Sequence, residues 1–164
     1  MSAPGMGWQP HADAWALVIL LAGGYLYALS AWGPRHAPGG IAATRRHRLY
    51  FFSGVGSLWL AADWPVHQLA NELFSVHMAQ HLIFSLVSAP LLILGTPAWL
   101  LRRLLSPPPI GRMWRAVTRP LPALVLFNTW IALYHFRGMV NLSVANDGFH
   151  LFAHVMWVAV SLIM

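Results

Sequence analysis

The sequence contains no cysteine and no lysine, and its only acids are Asp13, Asp63, Glu72 and Asp147. Without thiols there can be no disulfide and no thiolate-bound metal. Four carboxylates are too few for a di-iron bundle built on paired Glu-x-x-His motifs. No HExxH segment, glycine-rich phosphate loop or serine-centred nucleophile motif occurs, which removes the zinc peptidase, nucleotide-binding and serine hydrolase readings. Charge is scarce as well. Charged residues make up 9% of the chain, against roughly a quarter in soluble domains. What is abundant is apolar: 58% of the 164 residues are hydrophobic. This is the balance of a polytopic membrane protein, an all-α bundle read as one transmembrane helical domain over residues 1–164.

A membrane-spanning helix needs about 20 mostly apolar residues. Five stretches approach this: Ala14 to Trp32, Leu49 to Pro65, Leu73 to Leu101, Leu121 to Phe136, and a fifth from near Gly148. The third is longer than a hydrocarbon core requires, and Pro90, Gly95 and Pro97 are expected to kink it or end it early. The fifth is still apolar at Met164, so the chain is expected to be incomplete at its C-terminal end. The segment MSAPGMGWQPHADAW carries no basic residue ahead of its apolar run and is not read as a secretory signal.

The ten arginines give the formal charge of +6, and they sit between apolar stretches rather than in a nucleic-acid patch. Arg35, Arg45, Arg46 and Arg48 share one connection, and Arg102, Arg103, Arg112, Arg115 and Arg119 share another on the same side. Arg137 alone falls on the other side. The positive-inside rule puts the nine inside and the N-terminus outside, with the segments around Gln68 to Glu72 and Gly138 to Asp147 as outer loops. Arg112, Arg115 and Arg119 recur at helical spacing opposite Met113, Trp114 and Val117, as in a helix lying on the lipid surface.

Histidine is distributed the opposite way. His11, His67, His77, His81, His135, His150 and His154 fall on the outer side, and only His36 and His47 on the inner. Residues four apart share a helix face, so 77/81 and 150/154 are each a two-nitrogen clamp. Ionisable groups at membrane depth face the bundle interior and mark function. Crowded imidazoles favour the neutral form, which is a ligand for copper, zinc or iron. The candidate ligands are His77, His81, His135, His150 and His154, with Asp63, His67 and Met78 beside them. The expectation is one shared site, with the pairs 77/81 and 150/154 facing each other and Asp63 or His135 orienting a ring. His11, His36 and His47 read as amphipathic end groups, Met139 and Met156 as packing residues, and Asn128 as a hydrogen bond between helices. Two other readings stay open: a haem-binding electron carrier with two axial histidines, and a structural scaffold whose histidines only pack.

From Arg46 onward the residues also resemble a known family. FSVHMAQHLIFSLVSAPLLILGTPAWLLRRLL is similar to the signature of the CtaG-like cytochrome c oxidase assembly factors of the bacterial caa-type branch. The matching positions are His77, Met78, His81, Pro90, Leu94, Gly95, Pro97 and the basic pair Arg102 and Arg103. LYHFRGMVNLSVANDGFHLFAHVMWV resembles the later histidine block, through His135, His150 and His154, and WLAADWPVHQLANELFSVHM fits upstream through Asp63 and Pro65. Tyr134 and Phe136 stand where the family has Trp and Pro around the middle histidine. The resemblance implies six or seven spans and a bacterial inner-membrane location. It implies a non-enzymatic role in handling copper for the CuB centre of a haem–copper oxidase. The partner would be the oxidase subunit carrying CuB or an upstream copper donor, with membrane lipid and a homo-oligomer as further associations and no nucleic acid.

Overall fold

The computed structural model describes residues 12–63 and 65–164, and no strand occurs among them. His11 lies outside the described residues. Helix α1 (Ala12–His36) is one apolar run of 25 residues. At 1.5 Å per residue that is about 37 Å, enough to cross a ~30 Å hydrocarbon core. It ends with His36 Nδ1 donating to Trp32 O at 3.0 Å. A 3-10 turn (Pro38–Gly40) then reverses the chain, with Gly39 and Gly40 at φ 64° and 74°. Only glycine adopts that conformation without strain. Helix α2 (Arg45–Ala62) opens on a reciprocal cap, in which Thr44 Oγ1 accepts from the His47 N–H at 3.2 Å and His47 Nδ1 accepts from the Thr44 N–H at 3.4 Å. The histidines at the arginine-rich end therefore finish helices, as their end-group reading requires.

The connection after α2 is helical rather than an open loop: α3 (Val66–Glu72) leads directly into α4 (Phe74–Leu82). A π-helical turn (Ile83–Ser88) and α5 (Ala89–Gly95) continue α4 as one 22-residue rod. Pro90 has no N–H to give, and the wider turn before it lets the helix pass without breaking. Gly95 is the true end, and Pro97 precedes the short α6 (Ala98–Leu104). Helix α7 (Pro108–Val117) meets α8 (Pro120–Tyr134) at 81°. The second outer connection is also helical, α9 (Arg137–Ala145), and α10 (Asp147–Ile163) closes the described chain.

By length and composition two helices can cross a membrane, Ala14–His36 and Phe74–Gly95, or three if the bent pair α7–α8 counts as one. Of the five expected spans, α2 begins with three arginines in its first turn and α10 has only 17 residues. Leu20 and Leu121 are 70% exposed and Leu86 69%. So much bare leucine on three different helices suits lipid rather than water.

The core gathers on α2, whose Phe51, Gly54, Val55, Leu58, Ala61 and Ala62 are buried along one helical stripe. Tyr25 of α1 stacks on Phe51 at 3.8 Å and donates its hydroxyl to Gly95 O at 2.9 Å. A Cβ on Gly95 would fall on the backbone of Phe51, so α2 and α5 touch backbone to backbone. Close contact through small residues is how helices associate where lipid supplies no hydrophobic drive. Trp99 Nε1 donates to Ala42 O at 2.7 Å and ties α6 to the turn before α2.

Candidate metal centre

Two polar stripes face each other across the bundle. On α4 and the π turn the stripe is His77, His81, Ser85, Ser88; on α10 it is His150, His154, Trp157, Ser161. Each repeats at three or four residues, so each keeps to one helix face. They meet at Ser85, whose Oγ accepts from Trp157 Nε1 at 3.2 Å and lies 3.1 Å from Ser161 Oγ. Ser57 of α2 meets Ser88 at 2.9 Å. Gln80 Nε2 donates to Ala61 O at 2.7 Å, locking α4 to α2 beside the histidines.

Above that seam His77 Nε2 and His81 Nε2 stand 2.9 Å apart. His81 is only 8% exposed, and its ring lies flat on Trp157, 3.7 Å between centroids at 17°. Tyr134 meets the same ring edge-on at 6.0 Å. His135 arrives from the C-terminal end of α8, with its ring 5.8 Å from His77 and 5.5 Å from His81. Its Nδ1 donates to Ile131 O at 2.8 Å. That bond fixes the tautomer, leaving the lone pair on Nε2. His135 Nε2 is buried with no hydrogen-bond partner, and so is His81 Nδ1. Ring nitrogens of His77, His81 and His135 all fall within 4.8 Å of one another.

This arrangement suits one small cation. Two nitrogens 2.9 Å apart, each about 2.0–2.1 Å from a metal, subtend about 90° at it. A backbone carbonyl holding the far nitrogen of a ligating ring is the usual outer support of a histidine metal ligand. Burial on the Trp157 face shields His81 from water, while His77 and His135 are half-buried.

The other outer histidines form their own group. His67 of α3 lies 5.3 Å from His150 and 6.4 Å from His154, ring to ring, and His150 and His154 are 4.3 Å apart. Asp63 is wholly buried at the end of α2, and its carbonyl accepts from the His67 N–H at 3.0 Å. Each i, i+4 pair thus has a third histidine beside it, His135 for one and His67 for the other. Met78 is 38% exposed. Met156 packs on the core. Asn128 does not bridge helices as expected: it is exposed, and its amide donates to Leu124 O of its own helix at 2.8 Å. A short amide on a lipid-facing surface satisfies itself on the nearest carbonyl one turn back.

Sequence reasoning passed over Trp157, Ser85, Ser161 and Gln80. The available signal was continuation of the histidine spacing: the register 77, 81 runs on through 85 and 88, and 150, 154 through 157 and 161.

The fold and site define a helical membrane protein with a buried imidazole cluster at one end of its bundle. The family described as cytochrome c oxidase caa3 assembly factor (Caa3_CtaG) matches residues 23–164, and the chain belongs to it. The match begins in α1, upstream of the stretch that carries the resemblance in sequence. No curated protein and no solved structure matches the chain. Its place is therefore in assembling cytochrome c oxidase, with a partner in that oxidase system.

Proposed function

We propose that the protein binds copper at His77, His81 and His135 and passes it to the CuB centre of a haem–copper oxidase, or takes it from an upstream donor, without turning over a substrate. It does so as a multi-pass protein of the bacterial inner membrane, with five spans, the N-terminus outside and the histidine end facing outward. The observation that supports this most is the convergence of three imidazole nitrogens within 4.8 Å, one of them held by a backbone carbonyl. Copper is the cargo. A three-nitrogen site leaves a coordination position for an incoming ligand, which is what hand-over requires. Imidazole without carboxylate or thiolate suits copper or zinc. Two nitrogens 2.9 Å apart on one helix suit a single ion better than the opposite faces of a porphyrin.

The test is elemental analysis and an optical spectrum of detergent-purified protein, beside a His77→Ala/His81→Ala/His135→Ala variant. Copper in the wild type and little in the variant is the expected result. Equal copper in both overturns the site. Zinc alone overturns the cargo, and a Soret band replaces it with haem.

A further inference from the structure

We infer that His67, His150 and His154 form a second copper-binding station beside the first. The inference rests on the copper reading above and divides the outer histidines differently from a single shared centre.

The second group shares the ring spacing and the burial pattern of the first. His150 and His154 stand 4.3 Å apart on one face of α10, the same ring spacing as His77 and His81 on α4. In each group a third imidazole comes from another helix, His135 from the end of α8 and His67 from α3. Each group has one nearly buried member, His81 or His154, both 8% exposed. The other two of each group are half-buried. Ionisable side chains held this deep are costly and are retained for use.

An aromatic ring stands against the buried histidine of each group. Trp157 lies flat on His81, and Phe84 stands edge-on to His154 at 5.6 Å. Trp157 is three residues beyond His154 on α10, about 5 Å along the axis. The two groups adjoin at one end of the bundle, so a swing of one side chain carries an ion from one to the other. Passage is a ligand exchange. One copper–nitrogen bond forms on the receiving trio as one breaks on the donor trio. The copper stays Cu(I) and the imidazoles stay neutral, so neither electron nor proton has to be supplied. Two stations of like ligands differ little in affinity, and this keeps the cargo mobile.

The experiment titrates Cu(I) into the full chain in detergent against a chromophoric Cu(I) chelator. The wild type is expected to take two equivalents. His150→Ala/His154→Ala and His77→Ala/His81→Ala are each expected to keep one, and the four-fold variant none. His67→Ala, which leaves both helix pairs intact, is expected to weaken one equivalent about tenfold or more and serves if a double variant fails to fold. A wild type holding one equivalent that either pair abolishes means a single shared site, which overturns this inference and leaves the proposed function standing. Two equivalents retained by the His150/His154 variant also overturns it. A wild type that binds no copper removes the proposed function itself.

Discussion

His135 is a ligand candidate because of a carbonyl, not because of its own helix spacing. It caps the last turn of α8, where Ile131 O accepts both the His135 amide at 3.1 Å and the imidazole Nδ1–H at 2.8 Å. The aim of Nε2 at the 77/81 pair is set by that bond and by how α8 docks. Spacing in the sequence exposes 77/81 and 150/154; it holds no mark of which pair His135 joins. Gly95 is a second residue whose role is set by an approach. Its missing side chain is filled by the Phe51 backbone, and its carbonyl takes the Tyr25 hydroxyl. Gly95→Ala must push α2 off α5 and is expected to cost about 1–3 kcal/mol, the range for overpacking a filled interior. Gly56, on the same helix as Phe51, has nothing within 4 Å of a Cβ. Gly56→Ala is expected to be neutral or to stabilise by up to about 1 kcal/mol through helix propensity. Thermal unfolding of both variants in detergent measures the contrast, and equal losses would refute the close-packing argument.

At the scale of elements, the π turn sets which way the histidines point. Below it, α5 is pinned to α2 at Gly95; above it, α4 carries His77 and His81. Each helical residue turns the chain by about 100°. Deleting Val87, an exposed residue of the π turn, tightens the segment towards an ordinary helix. It thereby rotates His77 and His81 by about that angle away from Trp157 and His135. The deletion variant is expected to insert and fold but to lose most of its bound copper, while Val87→Ala keeps it. Full copper content in the deletion variant would show that the turn does not aim the site. The turn was not legible beforehand: Pro90 reads as a kink or stop, and nothing in IFSLVS distinguishes a widened helix from a broken one. The short helices α3 and α9 were also unreadable, because seven and nine residues of mixed polarity make too little periodic pattern to tell from a loop. The long apolar runs were legible to within a few residues, since lipid-facing and core-facing positions are both apolar and the run itself marks the helix.

The whole molecule is polarised. Ring contacts join the start of α4, the end of α8, α3 and the start of α10, so all the grouped histidines share one end of the bundle. The opposite end holds the close of α1, the start of α2, α6, α7 and the start of α8, and with them nine of the ten arginines. A bundle with cations at one end and imidazoles at the other has a direction, and the positive-inside rule turns that direction into an orientation. The absence of cysteine makes the test clean, because any thiol in the protein is one that was introduced. Gly138 opens α9 at the histidine end; it is exposed, and a Cβ there meets only the Phe136 ring at ordinary contact distance. Ser106 is exposed at the arginine end, between α6 and α7, where its hydroxyl merely donates to Arg103 O. In cells whose inner membrane is intact, Gly138→Cys is expected to react with a membrane-impermeant maleimide and Ser106→Cys to react only after the membrane is opened. The reverse pattern would place the histidine end on the cytoplasmic side. Copper would then have to be loaded from the cytoplasm, and an outer-facing hand-over to an oxidase could not be its route.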